Sequence, residues 1–368
     1  MDFAFVPGAS TGELLARAML QRRPQTKLIQ VKRLATLRQF INHLNTATGI
    51  SRPVDNLLIA SHATDEGVLL IPLFTGQRGS TKFETLENSL SNTAHSIKIP
   101  DTLIGHTPGS PPSKFFHIRG CNIGKARPLL VKLREALGDN VTVTAPIHSD
   151  RFIQTPKVGV WEYMWYEHKI VRPTVFPSQS DAVSAFEKKV FDPRFDGPAV
   201  PKAQWKTWVP TSIARTSTLY ITVNLGVTVA GQTTLPTNGE FRVKQGKFDS
   251  TISFPSASQV PTTKLGQMAV LKQFLTNQSR FDPTHAFPEF KRWGYSSFAD
   301  FFAGYEWKLT PNRKKLVCKG LRMEYTVFVP ILDASNNLIF NFYPDPGTSQ
   351  TAITTGLVET NAKFFENV

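Results

Sequence analysis

Short apolar runs alternate with amphipathic patterns along the first half of the chain. In the amphipathic segments apolar residues recur every three or four positions, as on one face of a helix. The apolar runs predict strands at residues 3–6, 28–31, 56–60, 115–118 and 141–145, and the amphipathic segments predict helices after Ser10 and over 35–44 and 125–137. Because alternating strands and helices form a parallel-rich sheet covered on both faces, we expect an α/β domain over residues 1–195.

The pattern changes after about residue 150. Strand-like alternation separated by Gly, Pro and Asn turns predicts strands at 161–166, 219–229, 240–254 and 322–331, with helices at 180–190 and 264–277. A proline-rich stretch, 191–210, is interpreted as a linker, and Trp205 and Trp208 beside it as core or domain-interface residues. We therefore expect a second, α+β or mostly β domain of unknown role over residues 196–368.

Length and composition agree with two globular domains. The chain has 368 residues, of which 40% are hydrophobic and 19% charged. It has no apolar run of membrane-spanning length and no basic segment typical of a signal peptide. Its two cysteines, Cys121 and Cys318, are too few for a disulfide framework or a four-cysteine zinc site. We expect a cytoplasmic protein that does not associate with a membrane.

The net charge is +14, and the densest basic cluster has no acidic residue inside it. The cluster consists of Arg17, Arg22, Arg23, Lys27, Lys32, Arg33 and Arg38. No zinc-finger, basic-zipper or RNP motif accompanies it, so a solvated helix face or a partner-binding surface is the preferred interpretation. Nucleic-acid binding is the alternative, and it predicts an affinity that falls steeply with salt.

Two strand ends carry candidate chemistry. His62 follows the strand at 56–60, and Cys121 follows the strand at 115–118, between Gly120 and Gly124. Ligand sites in open α/β sheets collect at the carboxyl ends of strands. A base close to a thiol raises the fraction of that thiol present as thiolate. The pair predicts a Cys–His catalytic site. Taken singly, His62 is also consistent with a hydrogen-bonded structural histidine, and Cys121 with a buried inert thiol.

These two motifs resemble those of the caspase-like (clan CD) cysteine peptidases, especially the bacterial CHAT and clostripain-like branches. The resemblance implies a caspase-like sheet, Cys121 as the nucleophile and His62 as the base. It also implies an oxyanion hole formed by the backbone N–H groups of Ala63 and Cys121. Ala63 stands where that family usually has glycine. A catalytically silent caspase-fold interaction or scaffold protein is therefore the alternative function.

The resemblance also bears on substrates and partners. The residue two positions before the nucleophile lines the specificity pocket in that family, and here it is Arg119. A guanidinium pairs with carboxylates and repels cations, which predicts a non-basic P1 preference. Alternatively, Arg119 faces solvent or forms a salt bridge. We expect a protein or peptide substrate, a regulatory protein partner for the C-terminal half, and neither a cofactor nor a metal site.

Overall fold

A computed structural model describes residues 1–31, 34–77, 79–211, 218–221, 239–335 and 337–368, without the side chains of 218–221. The described strands are β1 (Asp2–Phe5), β2 (Thr26–Leu28), β3 (Leu57–Ala60), β4 (Ala63–Thr64), β5 (Val68–Leu69), β6 (Phe115–Arg119), β7 (Thr142–Pro146), β8 (Ser149–Thr155), β9 (Gly159–Arg172), β10 (Thr218–Ile221), β11 (Gly239–Ser253), β12 (Glu306–Asn312), β13 (Lys315–Pro330), β14 (Phe340–Pro344), β15 (Ile353–Thr354) and β16 (Phe365–Asn367).

The described helices are α1 (Thr11–Arg22), α2 (Leu37–Thr46), α3 (Phe83–Ser91), α4 (Asp101–Ile104), α5 (Arg127–Leu137), α6 (Gln179–Lys188), α7 (Lys202–Trp208), α8 (Lys264–Thr276), α9 (Glu289–Arg292) and α10 (Phe298–Ala303). Together these elements confirm a mixed α/β chain.

The chain divides differently from the predicted boundary after residue 195. One unit comprises Met1–Trp165 together with Ile331–Val368, and the other comprises Tyr166–Pro330. The C-terminal segment returns to the first unit because β16 pairs antiparallel with β7, and β14 pairs antiparallel with the first half of β9. Pairing between residues so far apart in sequence leaves no local signal, and the predicted division therefore missed it.

The first unit contains a six-stranded sheet in the order β16-β7-β6-β3-β1-β2. The five strands from β7 to β2 are parallel to one another, as predicted. The sixth strand of this sheet, β16, runs antiparallel to β7. Helix α1 packs Ala16, Met19 and Leu20 against one face of β1 and β3. On the opposite face, Phe5 stacks on Phe40 of α2 at 5.1 Å between ring centroids. All residues of β3 and all but the first residue of β6 are buried.

The second unit is built on the long antiparallel strands β11 and β13, with β10 and β12 paired to them. Residues 222–229 of the strand predicted at 219–229 lie outside the described residues. The predicted linker at 191–210 contains α7, whose Trp205 and Trp208 belong to the hydrophobic core of this unit. Trp205 stacks on Phe186 of α6 at 4.9 Å, so the proline-rich stretch is packed rather than extended.

Candidate functional site

His62 and Cys121 occupy equivalent positions beyond two neighbouring strands. Strands β3 and β6 are parallel, and their last paired residues are Ala60 and Arg119. The N–H of Ser61 donates to the carbonyl of Arg119 at 3.0 Å, which extends the pairing by one residue. His62 and Cys121 each lie two positions after the Ala60–Arg119 pair. The register therefore brings the imidazole-bearing and thiol-bearing residues to the same edge of the sheet.

The two strand ends approach closely at Gly120. A Cβ atom added to Gly120 would lie 2.7 Å from the carbonyl oxygen of Ser61 and 2.8 Å from Cβ of Ala63. A Cβ atom added to Gly124 would lie 2.5 Å from the carbonyl oxygen of Ala145. Both glycines therefore allow backbone segments of the protein to pack together.

Cys121 is half-buried and begins the turn that follows β6. Its Sγ lies 3.6 Å from the carbonyl oxygen of Asp150. The next residue, Asn122, has a φ of 57°, and its N–H donates to the carbonyl of His148 at 3.0 Å. A short 3₁₀ turn, Ile123–Lys125, separates Cys121 from α5. The thiol is thus held on a hydrogen-bonded turn rather than at the N-terminus of the helix itself.

His62 is exposed and forms a contact that sequence reasoning missed. Its Nε2 lies 2.8 Å from Oγ of Ser10, and that Oγ lies 2.7 Å from Oε2 of Glu13. Ser10 caps α1, and Glu13 completes the capping box by accepting from the N–H of Ser10. The sequence predicted a helix after Ser10 but gave no signal of the contact with His62, because that contact forms only when β1 lies beside β3.

Arg119 is buried, and two carboxylates neutralise its charge. Its Nη1 lies 3.1 Å from Oε1 of Glu162, and its Nη2 lies 2.6 Å from Oε1 of Glu359. Burial would lower the pKa of Arg119, but Glu162 and Glu359 together raise it above its ordinary value. Of the alternatives for this residue, the geometry matches the salt bridge. The specificity-pocket role that the resemblance implied for Arg119 does not fit this buried position.

The carboxylates around Arg119 form a larger buried network. Glu359 also pairs with Arg23, and Glu162 accepts hydrogen bonds from Nδ2 of Asn341 at 2.8 Å and from the hydroxyl of Tyr343 at 3.1 Å. Although burial would raise the pKa of Glu359, Arg119 and Arg23 hold it well below its usual range. The network links the β6 strand end to the C-terminal segment within the first unit.

Two further buried groups lie in this region. Burial lowers the pKa of His117 to about 4, and its Nδ1 lies 2.6 Å from the hydroxyl of Thr144. Burial raises the pKa of Asp150, against the opposing effect of Arg119. His117 is therefore neutral in the folded protein at pH 7.

Much of the basic cluster is engaged within the protein. Arg22 pairs with Asp345 and Arg23 with Glu359, and Arg17 donates to the carbonyl oxygens of Val6 and Gly8. Lys32 and Arg33 lie outside the described residues. The arginines named here hold the first unit together, which reduces the charge that this cluster offers to a nucleic acid.

Within the described ranges, no group of three or more His, Cys, Asp or Glu side chains is arranged to hold a metal ion. In the same part of the chain, no helix is both long enough and apolar enough to cross a membrane. Neither Cys121 nor Cys318 forms a disulfide.

No known protein family, curated protein or solved structure matches this chain. The caspase-like resemblance accordingly depends on the motifs around His62 and Cys121.

Proposed function

We propose that the protein is a caspase-like cysteine peptidase in which Cys121 is the nucleophile and His62 is the general base. The observation that carries the proposal is the register of β3 and β6, which puts the two residues at equal distances past the paired Ala60 and Arg119. Parallel neighbouring strands lie about 4.8 Å apart, a separation that side chains at adjacent strand ends can span.

In the proposed reaction, His62 accepts the proton of the Cys121 thiol, and the thiolate attacks the carbonyl carbon of the scissile peptide bond. The tetrahedral intermediate collapses to a thioester as the amine leaves with the proton from His62. His62 then takes a proton from water, which attacks the thioester and releases the carboxylic acid product and the thiol. The N–H groups of Ala63 and Cys121 are the proposed donors to the oxyanion.

The replacement of the usual glycine by Ala63 is compatible with this scheme. Ala63 begins β4 and pairs with Leu69 as an ordinary strand residue, without a positive φ. An alanine keeps the backbone N–H that an oxyanion needs, and here it requires no left-handed backbone conformation.

The proposed substrate is a protein or peptide. We attach no P1 preference to it, because the guanidinium of Arg119 is buried between Glu162 and Glu359. The partner proposed for the C-terminal half remains a regulatory protein.

Replacement of the nucleophile tests the proposal. We expect Cys121→Ala and Cys121→Ser to reduce cleavage of a fluorescently labelled unfolded protein by at least about 10³-fold, as loss of a catalytic nucleophile does in other peptidases. The matched control is Cys318→Ala, because Cys318 is buried among the aromatic side chains of the second unit. Its cleavage rate is expected to stay within about twofold of wild type. Proteolysis that persists in Cys121→Ala would refute the assignment.

One observation favours the alternative, a catalytically silent interaction protein. Nε2 of His62 is already hydrogen-bonded to Ser10, and Sγ of Cys121 lies against the carbonyl of Asp150. A silent protein needs no activated thiol, so stoichiometric alkylation of Cys121 by iodoacetamide at pH 7 would count against this alternative. Cys318 serves as the internal control, because burial raises its pKa to about 11.

A further inference from the structure

Glu13, Ser10 and His62 form a hydrogen-bonded chain across two elements of the first unit. Oγ of Ser10 lies 2.7 Å from Oε2 of Glu13 and 2.8 Å from Nε2 of His62. Capping α1 requires only the contacts between Ser10 and Glu13. The contact between Ser10 and His62 is additional, and it joins the N-terminus of α1 to the residue that follows β3.

The direction of these hydrogen bonds follows from the chemistry of the groups. At the short Ser10–Glu13 contact, the hydroxyl of Ser10 donates to the carboxylate of Glu13. A hydroxyl has one proton, and therefore Oγ accepts at its contact with His62. Nε2 of His62 then carries a proton. In a neutral imidazole this leaves the lone pair on Nδ1.

Gly8 and Gly12 lie close to the hydrogen-bonded side chains of Glu13 and His62. A Cβ atom on Gly8 would lie 2.1 Å from the carboxylate oxygens of Glu13, so only glycine leaves room for that carboxylate. A Cβ atom on Gly12 would lie 3.3 Å from Cε1 of His62. Glu13 itself is only 9% exposed, although it lies in the first turn of a surface helix.

We propose that Ser10, oriented by Glu13, is a positioning residue that fixes His62 in the Nε2–H tautomer, so that Nδ1 is the atom that exchanges protons. The catalytic consequence rests on the peptidase proposed above, whereas the tautomer itself does not. The hydrogen bond made by one ring nitrogen decides which nitrogen of a histidine is basic, and a wrong tautomer disables a general base.

The test compares Ser10→Ala with Ser10→Thr and Thr36→Ala in the full-length chain. Thr36 caps α2 with the same capping box, with Gln39 in place of Glu13, and is a matched control for loss of a helix cap. Each alanine variant loses a helix cap and is expected to unfold at a lower urea concentration than wild type, but only Ser10→Ala removes the contact with His62. Ser10→Thr keeps the hydroxyl and should restore the wild-type behaviour.

The primary readout is the long-range ¹H–¹⁵N spectrum of the imidazoles at a pH where they are neutral, with His62 assigned from its loss in His62→Gln. Wild type, Ser10→Thr and Thr36→Ala should show His62 protonated at Nε2. Ser10→Ala should move both nitrogen shifts toward the average of the two tautomers. Unchanged shifts in Ser10→Ala, or the same change in Thr36→Ala, would overturn the inference.

The second readout is kinetic. Ser10→Ala should lower kcat about tenfold at an unchanged KM, because the lost interaction orients the base and binds no substrate. Equal kcat values for Ser10→Ala and wild type would contradict the positioning role. If the wild-type chain cleaves no substrate, the proposed peptidase fails, and the ¹⁵N spectra still decide whether Ser10 fixes the tautomer.

Discussion

At the scale of single residues, the first unit contains charged and titratable side chains that a sequence would normally assign to the surface. Arg119 and Glu162 are almost fully buried, and Glu359 completes the ion pairs. Burying such charges costs several kcal/mol of desolvation per ion. Pairing each charge with an opposite charge in the network offsets this cost. Removing one partner leaves another charge buried without its counter-ion, which is strongly destabilising.

His117 makes stability depend on pH. Its folded pKa of about 4 lies below the unfolded value of about 6.5, so the unfolded chain binds a proton that the folded chain does not as the pH falls from 6.5 to 4. Stability is therefore lost on acidification in this window, by about 2 kcal/mol between pH 7 and pH 5. We expect His117→Gln to remove that part of the loss in urea unfolding measured at both pH values.

The control for this prediction is Leu133→Ala, which removes a buried side chain of α5 without changing a titratable group. It should lower stability at both pH values and keep the wild-type difference between them. The same pH difference in His117→Gln as in wild type would contradict the linkage.

At the scale of elements, the local patterns predicted α1, α2, α5, α6 and α8 and the strands β1, β3, β6 and β7 to within a few residues. These elements have strong caps or continuous apolar runs, which are local properties. The strand β16 was not predicted, because its three residues form a strand only by pairing with β7. Helix α7 was likewise interpreted as linker, since its short proline-flanked sequence gains its order from burial of Trp205.

Strand β16 is expected to contribute substantially to the stability of the first unit. Phe365 is fully buried, and the guanidinium of Arg119 lies over its ring at 4.8 Å. Phe365→Ala removes the buried ring and its contact with Arg119, and it should lower the free energy of unfolding by about 3–5 kcal/mol. Val358→Ala, at a position that is 41% exposed, is the control and should cost less than about 1 kcal/mol in the same urea titration. Equal losses for the two variants would contradict the expected contribution of Phe365.

At the scale of the whole molecule, the first unit is assembled from two separate stretches of chain. The N–H of Ile331 donates to the carbonyl of Met164 at 3.0 Å, so the points where the chain leaves and re-enters this unit are adjacent. The second unit is therefore an insertion in the sequence of the first, and Tyr166–Pro330 has its own hydrophobic clusters.

This organisation predicts which fragments fold. A fragment of residues 1–195 lacks β14, β16 and Glu359, and it should show no cooperative urea transition by circular dichroism. A chain that joins 1–165 to 331–368 through a short Gly/Ser linker should show one, because the two ends to be joined are adjacent. Cooperative unfolding of the 1–195 fragment would contradict the discontinuous unit.

The sequence by itself determined the parallel α/β character of the first half and the positions of His62 and Cys121 at strand ends, because helix periodicity, caps and apolar runs are local. Only the tertiary structure decided the partners of these residues. It paired β3 with β6 in a register that aligns the two strand ends, brought Ser10 to His62, and turned Arg119 into the centre of a buried ion network. The Ser10–His62 and Arg119–Glu359 contacts join residues 52 and 240 positions apart, and they arise from packing and charge pairing that no local pattern encodes.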